Sequence, residues 1–232
     1  WSVIRLMLLN YYSQTKMAKG EGFGYKTAIL HLAPYKLSGK NVCPKASKEC
    51  AALCLNTSGR GQMNSVQAAR INKTNFFWKN RNAFLQQLSL EIEQLKNRAR
   101  SQGFKFAVRL NGTSDLSFER MKVEGGSTLL ELHPDVQFYD YTKILNRMNH
   151  KIKNYHLTFS DSGANAAEML QAVKSGHNVA VVFGDHLPKK YMNRKVNDGD
   201  KHDLRFLDPR RVVVGLIAKG AARRAAAGGF IK

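Results

Sequence analysis

Six short runs rich in branched and aromatic residues recur along the chain, and they limit its possible folds more than any other feature. They are 25–32 (YKTAILHL), 104–110 (FKFAVRL), 136–139, 155–159, 178–183 and 212–217 (VVVGLI). Each is short and nearly continuous in apolar character, the pattern of parallel strands covered on both faces. Helical stretches lie between some of them. From Asn80 to Arg100, Leu85, Leu88, Ile92 and Leu95 fall at helical spacing, and Gly103 follows as a stop. From Gly163 to Ser175, Ala166, Met169, Leu170 and Val173 repeat the pattern, ended by Gly176. Strand–helix alternation demands right-handed crossovers and a parallel sheet. The expected fold is α/β, a partial β/α barrel of about six parallel strands. A doubly wound open parallel sheet is the alternative. Residues 1–217 form one domain in this reading, and 218–232 a basic tail, helical or flexible, with Lys219, Arg223 and an Ala/Gly run. The chain opens at Trp1 rather than Met, as a trimmed or internal start does.

The segment 41–61, NVCPKASKECAALCLNTSGRG, follows the first strand and holds every cysteine of the chain. Cys43, Cys50 and Cys54 are spaced C-x6-C-x3-C. Parallel β/α folds bind ligands beyond the carboxyl ends of their strands, so this loop stands where a site belongs. On a helix Cys50 and Cys54 share a face, and Cys43 reaches in from the preceding loop. Three thiolates suit a [4Fe–4S] cluster with one iron left open. They also suit zinc with a fourth ligand, for which His31 is the nearest candidate. The bland alternative is three buried or reactive thiols with no metal. The spacing matches no standard zinc signature, which favours the cluster. Gly59, Arg60 and Gly61 close the loop with flexible backbone and one fixed charge, a candidate cofactor-binding turn.

Polar groups follow the other strands too. Asn111-Gly112-Thr113-Ser114-Asp115 comes after the second, and Asp140-Tyr141-Thr142-Lys143 after the third. Asp and Asn at such positions often cap a helix or shape a turn. Five small polar residues in a row exceed what one cap requires, and Asp140 stands between two tyrosines. Asp115 and Asp140 are therefore the candidate catalytic carboxylates, with Asn111 beside them and Lys143 to steady an anion.

Charge narrows the partners. There are 37 Lys+Arg against 17 Asp+Glu, a formal net charge of +20. Such an excess repels itself unless a polyanion neutralises it, and nucleic acid is the leading candidate, DNA ahead of RNA. Candidate contacts are Arg60, Arg70, Lys73, Trp78, Lys219 and Arg223, where aromatic stacking and phosphate pairing would combine. No helix-turn-helix, zinc-finger or RNA-recognition signature is present, so binding would be backbone-led. No apolar run reaches the about 18 residues needed to cross a bilayer, and no signal peptide is visible. An odd, clustered set of cysteines argues against a secreted disulfide framework, and a reducing bacterial cytoplasm is expected.

Two resemblances add to this. A cysteine triplet after the first strand of a six-stranded β/α barrel resembles the radical S-adenosylmethionine architecture, although that superfamily spaces its cysteines C-x3-C-x2-C. It implies a cluster and S-adenosylmethionine. The phrases LHLAPYKLSGKNVCP, CLNTSGRG, VQAARINKT, VRLNGTSD, DYTK, NYHLTFS and DLRFLDP resemble the bacteriophage gene product eighty-eight family over most of the chain. That likeness implies a phage or prophage origin and no particular chemistry. Three functions are then weighed. One is an iron–sulfur enzyme acting on nucleic acid or its components. Another is a metal-free enzyme exchanging or removing a DNA base through Asp115 or Asp140. The third is a basic nucleic-acid-binding protein without catalysis.

Overall fold

Alternation along the strands sorts the side chains into two layers. The computed structural model describes residues 6–11, 19–225 and 229–232; Trp1 lies outside them. All six expected strands form: β2 (Tyr25–Leu30), β3 (Lys105–Arg109), β4 (Gln137–Thr142), β5 (Tyr155–Ser160), β6 (Val179–Phe183) and β9 (Val213–Ile217). Three short strands join them: β1 (Leu9–Tyr11), β7 (Lys190–Tyr191) and β8 (Arg194–Asp198). The sheet runs β1-β2-β3-β4-β5-β6-β9-β8-β7. Every pair from β2 through β9 to β8 is parallel, while β1 on β2 and β7 on β8 are antiparallel.

The expected barrel does not close among the described residues. Its would-be closing edges are taken by other strands: β1 covers the free edge of β2, and β8 that of β9. The doubly wound alternative fails as well, because β2 to β6 follow one another in chain order with no central reversal. What stands is a mixed α/β protein with an open, nine-stranded, mostly parallel sheet.

On one face, Leu30, Val108, Phe138, Phe159, Val181 and Val213 join a continuous apolar core. Helix α3 (Arg81–Ser101) packs there with Phe84, Leu85, Leu88 and Ile92 buried. Its start is set by Asn80, whose side chain accepts the Ala83 amide at 3.1 Å. It ends at Gly103, which adopts the positive φ of 79° that glycine tolerates best. Before it lies α2 (Asn64–Lys79), and α5 (Ala166–Lys174) packs Met169 and Ala172 into the same core. Two shorter helices, α1 (Lys48–Ala52) and α4 (Leu129–Leu132), complete the set named here.

The other face is polar for a buried surface. Phe206, in the 3-10 turn Arg205–Leu207, packs edge-on against Tyr139 and Tyr25, with ring centroids 5.5 and 5.0 Å apart. Arg109 pairs with Asp203 at 3.0 Å, and the fully buried Arg205 with Asp208 at 3.3 Å. The tail expected as a helix or free arm is neither in its described part. Gly220–Arg224 makes a 3-10 turn, and Ile231 bridges to Val182 with the Lys232 amide on the Val182 carbonyl at 2.9 Å.

Candidate functional site

At the carboxyl ends of the parallel strands lies a cavity of about 200 Å³. The thiol segment forms one wall. Val42 is buried and accepts the Asp115 amide at 2.8 Å, which fixes Cys43 beside the loop after β3. The Cys43 thiol donates to the Thr113 carbonyl at 3.6 Å. Ser47 caps α1 by accepting the Cys50 amide at 2.9 Å, and its own hydroxyl donates to the Ser162 carbonyl at 2.5 Å. Cys54 follows α1 directly, so all three cysteines line the same cavity.

Lys143, after β4, joins them there. Burial works against its charge, but Cys50, Asp115, Cys43 and Cys54 around it more than offset this and raise its pKa. Burial also lifts the Cys43 thiol to about 11 and raises that of Cys54. Leu53, Leu55, Val182, Leu216 and Phe230 also line the cavity, apolar groups that the sequence did not announce as part of a site. Arg109 and Lys219 line the cavity too, the latter paired with Asp200 at 2.5 Å.

The two expected carboxylates part company. Asp115 lines the cavity but is fully engaged: its carboxylate accepts from Arg147 (2.5 Å), the Thr142 hydroxyl (2.8 Å) and the Lys143 amide (2.8 Å). Asp140 is wholly buried and absent from the lining, because strand alternation sends Tyr139 and Tyr141 to one face and Asp140 to the other. It accepts the Asn111 amide at 2.7 Å, the Asn111 carboxamide at 3.1 Å and the Tyr155 hydroxyl at 2.9 Å. Asn111 in turn accepts from the Ser114 hydroxyl and the Leu116 amide, both at 2.8 Å. These bonds fold Asn111–Asp115 over the end of β2, and all five residues line the cavity.

Other expected residues turn inward or away. His31 faces Asn10 at 3.1 Å and does not line the cavity, so it does not serve as the fourth zinc ligand. Gly59, Arg60 and Gly61 form a 3-10 turn in which Gly61 packs against Asn56, and none of the three lines the cavity. Arg70 and Lys73 are buried: Arg70 donates to Asn56, and Lys73 to the Leu8 carbonyl at 2.7 Å, with its pKa lowered to about 8 by burial. Neither offers a charge to a polyanion. Arg60, Trp78 and Arg223 remain exposed, with the Arg81 guanidinium 5.4 Å from the Trp78 ring.

Buried titratable groups oppose one another in pH. Burial lowers His31 to about 3 and His156 to about 4, so the native state binds fewer protons and stability rises with pH up to about 6.5. Burial raises Asp140 and Asp208 to about 6, so the native state binds more protons and stability falls between about 4 and 6. His133, His150 and His177 are lowered by burial too, so the histidines outnumber the aspartates and the urea midpoint should rise between pH 4 and 6.5. Asp140→Asn removes one falling component, so its midpoint should climb more steeply than the parent's; an unchanged slope would refute the assignment.

The class is that of a mixed α/β protein with an open, mostly parallel sheet and a cysteine-lined cavity at its strand ends. Compared with known families, the chain matches Gene product 88 over residues 6–232. It belongs to that phage family. No curated protein and no solved structure matches it. The likeness to the radical S-adenosylmethionine superfamily finds no support in these comparisons. Among the described residues, no helix is long and apolar enough to cross a membrane.

Proposed function

We propose that the chain is a phage-encoded enzyme whose strand-end cavity holds an iron–sulfur cluster on Cys43, Cys50 and Cys54. The supporting observation is that all three cysteines line one cavity, beside Lys143, at the end of the sheet where α/β folds bind ligands. Among the described residues, no group of three His, Cys, Asp or Glu is placed to hold a metal ion, so the reading rests on the three thiols sharing one cavity and on a spacing that matches no standard zinc signature. Bound there, the cluster would supply electron transfer or an open iron for a small molecule. A cavity of about 200 Å³ admits a small molecule or one extruded nucleobase, not a duplex.

Anaerobic reconstitution should give brown protein with about four iron and four sulfide per chain. Changing Cys43, Cys50 and Cys54 to serine should bring both to background. Colourless, iron-free protein after oxygen-free reconstitution would end this reading. A second reading, nucleic-acid binding by the exterior, draws on the +20 charge and on exposed Arg60 and Arg223. It requires DNA affinity to fall by roughly one log unit per log unit of salt for each phosphate neutralised. The metal-free reading, with Asp115 or Asp140 as nucleophile, draws least on the geometry, since one is ion-paired and the other lies off the cavity.

A further inference from the structure

Among the described residues, the Lys143 ammonium makes no hydrogen bond and no ion pair. Every other cation near it is answered: Arg109 by Asp203 at 3.0 Å, Lys219 by Asp200 at 2.5 Å, Arg147 by Asp115 at 2.5 Å. Asp115, the acid nearest in the loop, is occupied by Arg147, the Thr142 hydroxyl and the Lys143 amide. Leu53, Leu55, Val182, Leu216 and Phe230 give the same cavity an apolar lining. A cation held among thiols and an acid, with no hydrogen-bonded partner among the described residues, leaves its donors open to the anion of a ligand.

We propose that Lys143 is the anion receptor of this cavity. The cavity takes a small ligand with an apolar or aromatic body and one carboxylate or phosphate. The body lies against the Leu53–Leu216–Phe230 wall, and the anion pairs with the Lys143 ammonium. This rests on the cavity being the active site, and it does not require the cluster.

Three probes of similar shape test it on the full chain by titration calorimetry: benzoate, phenyl phosphate and the neutral benzamide. At least one acid should bind tenfold or more tightly than benzamide, and the tighter of the two names the anion. Lys143→Met should abolish that preference, Lys143→Arg should retain it, and Lys151→Met, an exposed control, should leave it unchanged. The variant with all three cysteines changed to serine should keep the preference. Equal binding of acid and amide, or a preference that survives Lys143→Met in a protein that melts cooperatively, would overturn the proposal. So would loss of the preference in the triple-serine protein, which would make Lys143 a counter-ion to the thiolates. Iron and sulfide contents, measured separately, report on the cluster alone, so the failure of one idea cannot pass for failure of the other.

Discussion

Replacing Arg147 with methionine should lower folding stability by about 3–5 kcal/mol. Arg147 is 2 % exposed. It holds Glu119 through two bonds of 2.9 Å, Asp115 through one of 2.5 Å, and the Tyr155 hydroxyl at 2.7 Å. Its removal leaves two buried carboxylates without a cation, and that loss, rather than the net worth of the pairs, sets the magnitude. Thermal melting should fall on the order of 10 °C for a chain of this size. Lysine should rescue little, because one point charge cannot grip Glu119 with two parallel bonds. The local consequence reaches the cavity, since Asp115 holds the Lys143 amide and Thr142. A loss below about 1 kcal/mol, the scale of an exposed pair, would contradict this account.

Gly112→Ala should cost roughly 1–3 kcal/mol through overpacking. A methyl at Gly112 would stand 2.6 Å from the Ile29 Cγ2, 2.7 Å from the Leu30 carbonyl oxygen and 2.8 Å from the His31 Cδ2. The Leu30 oxygen is strand backbone and also accepts the Gly112 amide at 2.9 Å, so it has nowhere to retreat. The loop Asn111–Asp115 must lift off β2 and take Thr113, the Cys43 partner, with it. Denaturant unfolding measures the first effect; weaker retention of iron or anion measures the second. An alanine variant as stable as the parent would show that the loop approaches β2 less closely than described.

Much of the architecture was readable in the chain. The six apolar runs became six parallel strands because such runs can be buried on both faces only in a covered sheet. The helix over Asn80–Arg100 showed its apolar stripe, its cap and its stop. The edge strands β1, β7 and β8 are two to five residues long, below the length at which a pattern emerges, and they occupy the edges a barrel would have joined. At the site, the cysteines were marked by clustering. Arg70 and Lys73 were expected on the surface but are buried, because a charged residue carries no sign in sequence of whether a distant amide or carbonyl will meet it. Asp140 was expected just past a strand ending at Tyr139, but β4 runs on to Thr142 and turns Asp140 to the core.

The sequence by itself determined that the chain is an α/β protein of the phage Gene product 88 family, with three thiols in the loop after its first core strand. Those properties are local: apolar runs, spacing and family phrases. Tertiary structure alone decided that Asp115 is tied to Arg147, that Asp140 faces the core, and that Lys143 lines one cavity with all three cysteines. Pairing of charges depends on which strand ends meet in space, and side chains 27 to 32 positions apart in sequence become hydrogen-bond partners only when parallel crossovers bring those ends together.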